Sequence, residues 1–348
     1  MAEPLPAGAQ VQAHRRVARV VVRAQQAPSM AEPDLLAAQP CSRFAGFVSL
    51  HADEVSITID DARRLVDGQC PQWRSMPLSP AGHGTDNQMF RLGNEFLVRL
   101  PRRPGTAKDV AKEQDWLPRL APRLPQQIPE PVFRGAADDE YPFAWSVLRW
   151  IDGAEPDEST VDDWAQFGRD LAEFVEALHG IDPGDARAEG ALEWYRGRRL
   201  AEFVADGHDV IEQVRGLDGL VDLDVHAVAD EWHRIASVPD PVVPDVLLHG
   251  DLRSANLLAR DGKLAAVIDF GALNIGNPTA EHAAVWQLPR DARVAYRERL
   301  GVDDDSWQRA RAWAIFVSLL AMPYYWTSWP EFARSGIDTI NTVLGEPR

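Results

Sequence analysis

HGDLRSAN at residues 249–256 and IDFG at residues 268–271 are the parts of this sequence that best indicate its fold and chemistry. They place Asp251, Asn256 and Asp269 within a short stretch of chain. A carboxylate can accept the proton of a hydroxyl group, and carboxylate and amide oxygens are ligands that Mg²⁺ prefers. Each residue alone has an ordinary structural explanation, but the joint pattern predicts phosphoryl transfer to a hydroxyl group.

The residues between the two motifs predict a β-hairpin. Asp261-Gly262 stands between two apolar segments, which is a strong signal for a two-residue turn. With the turn centred there, Asn256 faces Val267 across the hairpin. Asp269 then projects to the same side as Asn256, because side chains two apart on a strand share a face. Diagonal neighbours lie roughly 7–8 Å apart, so we expect these two side chains to hold one or two Mg²⁺ ions.

A glycine-containing loop before the first predicted strand is a candidate phosphate-binding loop. Gly82, Gly84 and Thr85 precede the strand that starts at Asn87. Backbone N–H groups of such a loop can bind phosphate oxygens. A glycine pair before a strand is equally common in a plain turn, so this signal is weak on its own.

Arg99 interrupts the apolar series of the next strand, where a charge needs a partner or a ligand. Glu113 lies fourteen residues further on, in a predicted helix, and is the expected partner. This arrangement is like the strand-lysine and helix-glutamate pair of kinases. Two alternatives remain: Arg99 faces solvent, or Arg102 or Arg103 takes its place, although both follow Pro101 and are expected in a loop.

Periodicity and turn signals predict a strand-rich first half and a mainly helical second half. Predicted helices cover 57–66, 108–120, 161–178 and 304 to about 325, with more across 190–236, and predicted strands cover 87–92, 96–100, 132–133 and 143–150. We expect Asp60 or Asp61 to open the first helix, and Ser159 or Thr160 to cap the third. Residues 1–48 are rich in Ala, Gln, Pro and Arg, and we expect a disordered N-terminal extension there.

Together these motifs resemble the aminoglycoside phosphotransferase family of small-molecule kinases. HGDLRSANLL matches the family's HGDLxxxNxL, and VIDFGALNIGNP matches IDFGxxxxGDP. The likeness covers about residues 55–345 and implies an α+β, bilobal, protein-kinase-like fold. A sheet-based, nucleotide-binding N-lobe would span 55–147. A mainly helical C-lobe, with the catalytic loop and the substrate site, would span 148–348.

The same resemblance implies roles for individual residues, with ATP and Mg²⁺ as cofactors. Asp251 would be the catalytic base, and Arg253 would be a second catalytic residue of the same loop. The remaining assignments are Asn256 and Asp269 as Mg²⁺ ligands, Arg99 and Glu113 as the phosphate-positioning pair, Gly82, Gly84 and Thr85 as the phosphate loop, and the backbone of Val147, Leu148 and Trp150 as the adenine-binding hinge.

Some positions depart from the family's usual pattern. Asn277 stands in place of the usual Asp before Pro278, and Glu281-His282 stands in place of Asp-Leu. Asn277 before a proline still predicts a helix start. These departures therefore concern a structural element and the substrate more than phosphoryl transfer. Arg99 in place of lysine matters more, because a planar guanidinium binds phosphate through two N–H groups.

The formal net charge of −17 is carried by the C-terminal part of the chain. Residues 151–348 contain 36 acidic and 18 basic residues, whereas residues 1–150 contain 17 and 18. This excess argues against nucleic acid and anionic membranes as partners and favours a cationic substrate. An acidic surface that only promotes solubility explains it equally well. Two cysteines without metal-ligand spacing, and no apolar run of about 20 residues, predict a cytoplasmic protein without a membrane segment.

The acceptor is a small hydroxylated molecule in our interpretation, and an aminoglycoside-like polycation is the first hypothesis. Candidate carboxylates for it are Asp157, Glu158, Asp162, Asp163 and those at 303–305. Aromatic residues near the C-terminus could instead line an apolar pocket for a macrolide, a choline-like molecule or another amino alcohol. These aromatics are Trp307, Trp313, Tyr324, Tyr325, Trp326 and Trp329. A catalytically silent nucleotide-binding module is a further alternative, although no base or metal ligand is missing.

Overall fold

A five-stranded antiparallel sheet and a set of helices make up the first half of the protein. The structure is a computed structural model that describes residues 54–84, 86–184, 186 and 192–346, so the predicted 1–48 extension lies outside it. The strands are β1 (Leu78–His83), β2 (Asn87–Leu92), β3 (Phe96–Pro101), β4 (Pro131–Gly135) and β5 (Trp145–Arg149), in the order β1-β2-β3-β5-β4. Helix α1 (Ile59–Gln69) precedes the sheet, and α2 (Ala107–Leu120) follows β3.

The second half is mainly helical, as predicted, so the α+β, two-part architecture is confirmed. Its helices are α3 (Trp164–His179), α4 (Val204–Arg215), α5 (Val225–Ala236), α6 (Arg290–Leu300), α7 (Asp304–Tyr325) and α8 (Pro330–Gly345). Two small antiparallel pairs lie between them: β6 (Val246–Leu248) with β9 (Asn274–Gly276), and β7 (Leu257–Arg260) with β8 (Lys263–Val267). The predicted lobe boundary at 147/148 falls inside β5 and stays a prediction. The helices within the described ranges are all too short or too polar to cross a membrane.

Two hydrophobic cores follow this division. One packs α1 against the sheet around Leu65, Val98 and Trp145. The other is larger and packs α3 to α8 together around residues such as Phe174 and Trp313. Burial of apolar side chains stabilises both parts by roughly 25 cal/mol for each Å² removed from water.

The start of α1 differs from the sequence prediction. The helix begins at Ile59 rather than at 57, because Thr58 is its N-cap. The Thr58 hydroxyl accepts from the Asp61 N–H, and the Asp61 carboxylate accepts from the Thr58 N–H at 2.8 Å. This reciprocal capping box fixes the first turn. Asp61 therefore stabilises the start from inside the helix and does not open it.

The cap of α3 also differs from the prediction. Asp163 is the N-cap, and its carboxylate accepts from the N–H of Gln166 at 3.0 Å. Ser159 and Thr160 do not cap the helix, because both bond to the preceding turn. The Ser159 hydroxyl donates to the Asp157 carboxylate at 2.7 Å, and the Thr160 hydroxyl accepts from the Asp157 N–H at 2.7 Å.

Strand β1 was not predicted, because its residues Ser-Pro-Ala-Gly have the composition of a turn. It lies at the edge of the sheet, where proline is tolerated because the strand pairs with β2 on one side only. Gly82 lies within it at φ 101°, a conformation that favours glycine. The pairing with β2 is irregular between Pro80 and His83. The loop expected to precede the first strand is thus partly the end of an edge strand.

Candidate active site

The Asp261-Gly262 turn is present, but the register of its hairpin differs from the prediction by one residue. Both turn residues have positive φ, 53° and 76°, as a two-residue hairpin turn requires. A bulge between Leu258 and Ala259 then shifts the pairing, so that Leu257 faces Val267. The expected pairing of Asn256 with Val267 is therefore wrong.

A third segment explains the bulge. The N–H of Gln127 donates to the carbonyl of Ala265, and the N–H of Val267 donates to the carbonyl of Gln127. These bonds take backbone groups on β8 away from a regular two-strand ladder. Asn256 then faces Ile268, whose N–H donates to the Asn256 carbonyl at 2.9 Å.

Asp269 adopts a left-handed backbone conformation with φ 66°. Such a conformation is uncommon for a residue other than glycine, although Asp tolerates it better than most. Its side chain is buried, and Oδ1 accepts from Nη2 of Arg99 at 2.8 Å. The backbone conformation thus turns the carboxylate toward the sheet of the first half.

Arg99 and Glu113 form the predicted ion pair, so the solvent-facing alternative is wrong. Nη1 of Arg99 donates to both carboxylate oxygens of Glu113, at 2.7 and 2.8 Å, and both side chains are buried. Burial alone would lower the pKa of Arg99, but Glu113 and Asp269 raise it. Burial raises the pKa of Glu113. Glu113 also accepts from the N–H of Phe270 at 3.1 Å, so it connects β3 to the Asp-Phe-Gly backbone.

The other arginines of this region have separate partners. Arg102 is buried and bonds to Glu54 at 2.6 Å, and Arg103 lies 3.4 Å from Asp86. The guanidinium that reaches Asp269 is that of Arg99, which is the position that the sequence favoured.

Asp251 is buried at the end of the His249-Gly-Asp turn and is held from two sides. Nη1 of Arg196 donates to its Oδ1 at 2.5 Å and to the carbonyl of Gly250 at 2.9 Å. From the other side, Nδ2 of Asn256 donates to the Asp251 carbonyl at 2.8 Å and to its Oδ2 at 3.2 Å. Gly250 has φ 80°, and a Cβ there would lie 2.3 Å from the carbonyl oxygen of Ala272.

Arg196 is a site residue that the sequence analysis missed. It lies in a short 3-10 helix, Tyr195–Gly197, 55 positions before Asp251. No apolar periodicity or motif marks it. Its only sequence signal is its place in the cluster Arg196-Gly-Arg-Arg199, which is a poor predictor of a buried ion pair.

Asn256 connects Asp251 to a candidate metal site. Its Nδ2 bonds to Asp251, whereas its Oδ1 is buried and has no hydrogen-bond partner among the described residues. A buried carbonyl oxygen without a partner is costly unless a ligand satisfies it. The carboxylate of Asp269 adds a second hard oxygen. This donor set fits a Mg²⁺ ion, which keeps several waters and phosphate oxygens in its shell.

Glu281, a departure from the family pattern, holds the backbone of the catalytic loop. Its oxygens accept from the N–H of His249 at 2.5 Å and from the N–H of Gly250 at 3.2 Å. Burial alone would raise the pKa of Glu281, but His179 and the side chain and backbone N–H of His249 lower it. Asn277 caps the following segment as predicted, because its side chain accepts from the N–H of Thr279.

The other predicted nucleotide contacts lie as follows. Gly84 is buried at the start of the β1–β2 connection, and Thr85 lies outside the described residues. Val147 and Leu148 pair with β3 on one side and β4 on the other. The Trp150 N–H donates to the carbonyl of Glu95 at 2.7 Å. Whether these residues contact a nucleotide stays a prediction.

A cavity that opens to solvent lies beside Asp251. Its walls come from the catalytic loop, the Tyr195–Gly197 segment, the 3-10 segment Pro278–Gln287, and helices α7 and α8. Charged residues in the wall are Arg196, Asp251, Arg253 and Glu281, and most of the others are small. The aromatic residues proposed for an apolar pocket do not line it, and Trp313 and Tyr325 are fully buried.

Comparison with known proteins gives a family match and a set of similar solved structures. The model of the phosphotransferase enzyme family matches residues 77–313. No curated protein sequence matches. Among solved structures, the GDP complex of aminoglycoside 2'-phosphotransferase-IIIa is 18% identical, covers 83% of this chain and 99% of its own, and has a TM-score of 0.67. The macrolide 2'-phosphotransferase MphH from Brachybacterium faecium is 20% identical with the same coverage and a TM-score of 0.56.

At these identities the structural likeness shows the fold alone, and the family match covers well over half of the chain. This protein therefore belongs to the phosphotransferase enzyme family.

Proposed function

We propose that this protein transfers the γ-phosphoryl group of ATP to a hydroxyl group of a small molecule, with Asp251 as the base. One observation carries the proposal. Asp251 lines the cavity and accepts a hydrogen bond from Nδ2 of Asn256, and Oδ1 of the same Asn256 is free to bind a metal. The acceptor site and the metal site are thus adjacent at one side chain. Phosphoryl transfer requires this adjacency, because the acceptor oxygen must meet the phosphate in line.

Asp251 is suited to accept the proton of the acceptor hydroxyl. A carboxylate has about four sites that accept hydrogen bonds, and its bonds to Arg196 and Asn256 occupy two of them. The remaining sites can accept from a hydroxyl group in the cavity. Arg196 and Asn256 also fix the orientation of the carboxylate, which reduces the entropy lost when the acceptor binds.

Asn256 and Asp269 are the proposed Mg²⁺ ligands. The fit rests on the buried, unpartnered Oδ1 of Asn256 and on the nearby carboxylate of Asp269. When bound, Mg²⁺ neutralises negative charge on the phosphate oxygens of the nucleotide. The protein holds both ligands through backbone bonds at Ile268 and Phe270, which keep them in place before any ligand arrives.

Arg99 is the proposed phosphate-positioning residue. Two of its contacts are to carboxylates, and the amide oxygen of Asn87 lies 3.1 Å from its Nε in the orientation that satisfies both groups. Structures of relatives as complexes with GDP, ADP and ATP support nucleotide binding by this fold. We propose ATP as the phosphoryl donor.

For the acceptor, the relatives support aminoglycosides and macrolides, because the solved structures include kanamycin, gentamicin and streptomycin complexes and macrolide phosphotransferases. An aminoglycoside-like polycation was the first hypothesis from the sequence. Its candidate carboxylates do not line the cavity. Asp157 and Asp163 instead accept hydrogen bonds from the turn and the helix start beside them.

Asp251→Asn tests the proposal, because it keeps the shape of the side chain and removes the base. Phosphate transfer to an acceptor should fall at least about 100-fold, the lower range for general-base catalysis, while Mg²⁺-dependent ATP binding stays within about twofold. The matched control is Asp338→Asn, which removes an exposed carboxylate on α8. Equal turnover in Asp251→Asn and in the control would refute the base assignment and favour a catalytically silent module.

A further inference from the structure

We propose that the acceptor carries an anionic group, such as a carboxylate, and that Arg253 binds this group in the cavity beside Asp251. The inference rests on the proposed function, because it takes the cavity as the place where the acceptor hydroxyl meets Asp251. It adds a substrate class that neither the family match nor the related structures assign.

The cavity lies on the acceptor side of Asp251. All of its lining residues stand at position 196 or later, so none of them belongs to the five-stranded sheet or to α2. The proposed phosphate-positioning pair, Arg99 and Glu113, lies outside its wall. A molecule in this cavity therefore contacts the helical part of the protein and Asp251, as an acceptor must.

Arg253 is a cation in this wall without an anionic partner. Its Nε is buried and has no hydrogen-bond partner among the described residues, and none of their carboxylates lies within 4.0 Å of its guanidinium. The guanidinium stacks over Phe332 of α8, 4.8 Å from the ring centre. Burial lowers the pKa of Arg253, the charges of Asp251 and Glu155 oppose this from beyond 4.0 Å, and the nearby Arg196 adds to the lowering. Arginine remains charged at neutral pH. The residue as a whole is half-buried, and a partly desolvated cation of this kind is stabilised by a counter-charge or a ligand.

The other charged groups of the cavity already have partners. Arg196 is bound to Asp251, and Glu281 is bound to the backbone N–H groups of His249 and Gly250. Both carboxylates of the cavity wall are therefore already engaged, and the remaining acceptor sites of Asp251 face the acceptor hydroxyl in the proposed function. A cation placed there would meet Arg253, and a like-charge contact disfavours binding. An anion would find a planar guanidinium that can donate two parallel hydrogen bonds.

The remaining wall leaves room for such a ligand. Small side chains project from the 3-10 segment and from α7 and α8: Ala283, Ala284, Ala314, Ser318, Ala321 and Ser335. Gln287 also lines the cavity, and its Oε1 accepts from the N–H of Ser254 next to Arg253. The backbone that carries Arg253 is thus fixed, and the guanidinium needs no large movement to bind an anion.

An anionic oxygen near Arg253 could also come from the γ-phosphate of the nucleotide. Both sources share the same chemistry, and enzyme kinetics distinguish them. Binding of the acceptor group predicts that Arg253 variants change the acceptor parameters. Binding of the γ-phosphate predicts that they change the Michaelis constant for ATP.

The test uses matched acceptors that differ only in charge. One set is glucuronate, glucuronamide and 6-amino-6-deoxyglucose, and a second is glycerate, glyceramide and 3-aminopropane-1,2-diol, so that the carboxylate, carboxamide or aminomethyl group occupies the same position. ADP release at saturating Mg²⁺-ATP gives kcat/KM for each compound. The wild-type protein should prefer the carboxylate of a set, and Arg253→Gln should lower the ratio of kcat/KM for the carboxylate to kcat/KM for the carboxamide roughly 10- to 100-fold. Arg253→Lys should retain part of the preference.

The control is Arg334→Gln, which removes an arginine from the exposed face of the same helix that carries Phe332. It should keep the wild-type preference. Transfer with a preference for the amine form would overturn the anion site and leave the phosphotransferase proposal intact. An Arg253→Gln variant with a raised Michaelis constant for ATP and an unchanged acceptor preference would also overturn it.

If no compound of the panel is phosphorylated, ligand binding measured by thermal unfolding tests the anion site instead. Carboxylate members should raise the melting temperature of the wild-type protein more than their carboxamides do, and Arg253→Gln should lose this difference. Equal shifts for carboxylate and carboxamide would refute the anion site. Failure of the proposed function itself has a different signature, because transfer would then be insensitive to Asp251→Asn.

Discussion

Replacement of Arg99 is the sharpest test of the proposed nucleotide grip. Its guanidinium donates to Glu113 at 2.7 and 2.8 Å and to Asp269 at 2.8 Å, and it is 6% exposed. Arg99→Ala removes the one cation between these two carboxylates. Arg99→Lys keeps a positive charge but replaces the planar fork with a single ammonium group.

The expected cost follows from these contacts. Removal of one partner from a buried ion pair costs about 3–5 kcal/mol, because the remaining charge stays buried without compensation. Arg99→Ala leaves two such carboxylates, so a loss toward the upper end of that range is expected. Arg99→Lys loses at least one charge-assisted hydrogen bond, which is worth about 1.5–3 kcal/mol. The free energy of unfolding of typical domains is only about 5–15 kcal/mol, so the alanine variant should lose a large fraction of its stability.

Urea unfolding measures the stability of both variants, and steady-state kinetics measure their function. The Michaelis constant for ATP should rise roughly 10- to 100-fold in Arg99→Lys, as expected for one lost charged contact, and more than that for the acceptor. The control is Arg149→Ala on β5, whose ion pair with Glu130 is exposed to solvent. It should change the free energy of unfolding by less than about 1 kcal/mol.

Two results would refute the reasoning. Equal stability of Arg99→Ala and Arg149→Ala would mean that Arg99 does not balance the buried carboxylates. A Michaelis constant that rises mainly for the acceptor would place Arg99 outside the nucleotide site. Lower stability with unchanged kinetics would leave Arg99 a structural role only.

Three further predictions concern the metal site, a buried histidine and helix packing. Asp269→Asn should weaken Mg²⁺-dependent ATP binding about tenfold or more in calorimetry, because a charged ligand is lost. Burial lowers the pKa of His282 to about 3, so between pH 6.5 and pH 3 this histidine takes up a proton only in the unfolded chain. The free energy of unfolding of the wild-type protein should therefore fall by about 2 kcal/mol between pH 7 and pH 5, and His282→Gln should lack this loss. Gly168→Ala should destabilise by about 1–3 kcal/mol in urea, because its Cβ would lie 2.1 Å from a backbone carbonyl oxygen of α6.

Each of these predictions has a control or an opposing outcome. Equal ATP affinity with and without the Asp269 carboxylate would exclude it as a metal ligand. The exposed His208→Gln variant is the control for His282, and an unchanged pH slope in His282→Gln would refute its assignment. Gly68→Ala is the control for Gly168, because a Cβ at Gly68 meets nothing within 4 Å and should stabilise α1 by about 0.5–1 kcal/mol.

Features that depend on neighbouring residues were predictable from the sequence. The Asp261-Gly262 turn follows from local backbone preference, and α7 has the predicted bounds. The ion pair of Arg99 with Glu113 was also predictable, because a charge inside an apolar strand requires a partner and the next helix supplies one. In each case one physical rule acts over a few residues.

Features that depend on distant segments were not predictable. The bulge that shifts Asn256 by one position arises because Gln127, far away in sequence, binds the backbone of β8. Arg196 reaches Asp251 only after the chain has folded back over 55 residues. No local period or turn signal carries such information. The prediction that Asn256 and Asp269 share a metal site rested on the wrong register of the β7–β8 hairpin. The unpartnered Oδ1 of Asn256 is the observation that supports this site instead.

The charge of a binding site is set by the groups that remain without partners, and the net charge of the chain does not determine it. Most of the excess acid lies in the C-terminal part, which suggested a cationic acceptor. Two of the carboxylates proposed to bind it have structural partners instead: Asp163 caps α3, and Asp303 caps α7. Inside the cavity, Asp251 is paired with Arg196, whereas no carboxylate of the described residues lies within 4.0 Å of the Arg253 guanidinium. A chain with a formal charge of −17 can therefore present a cationic group to its acceptor.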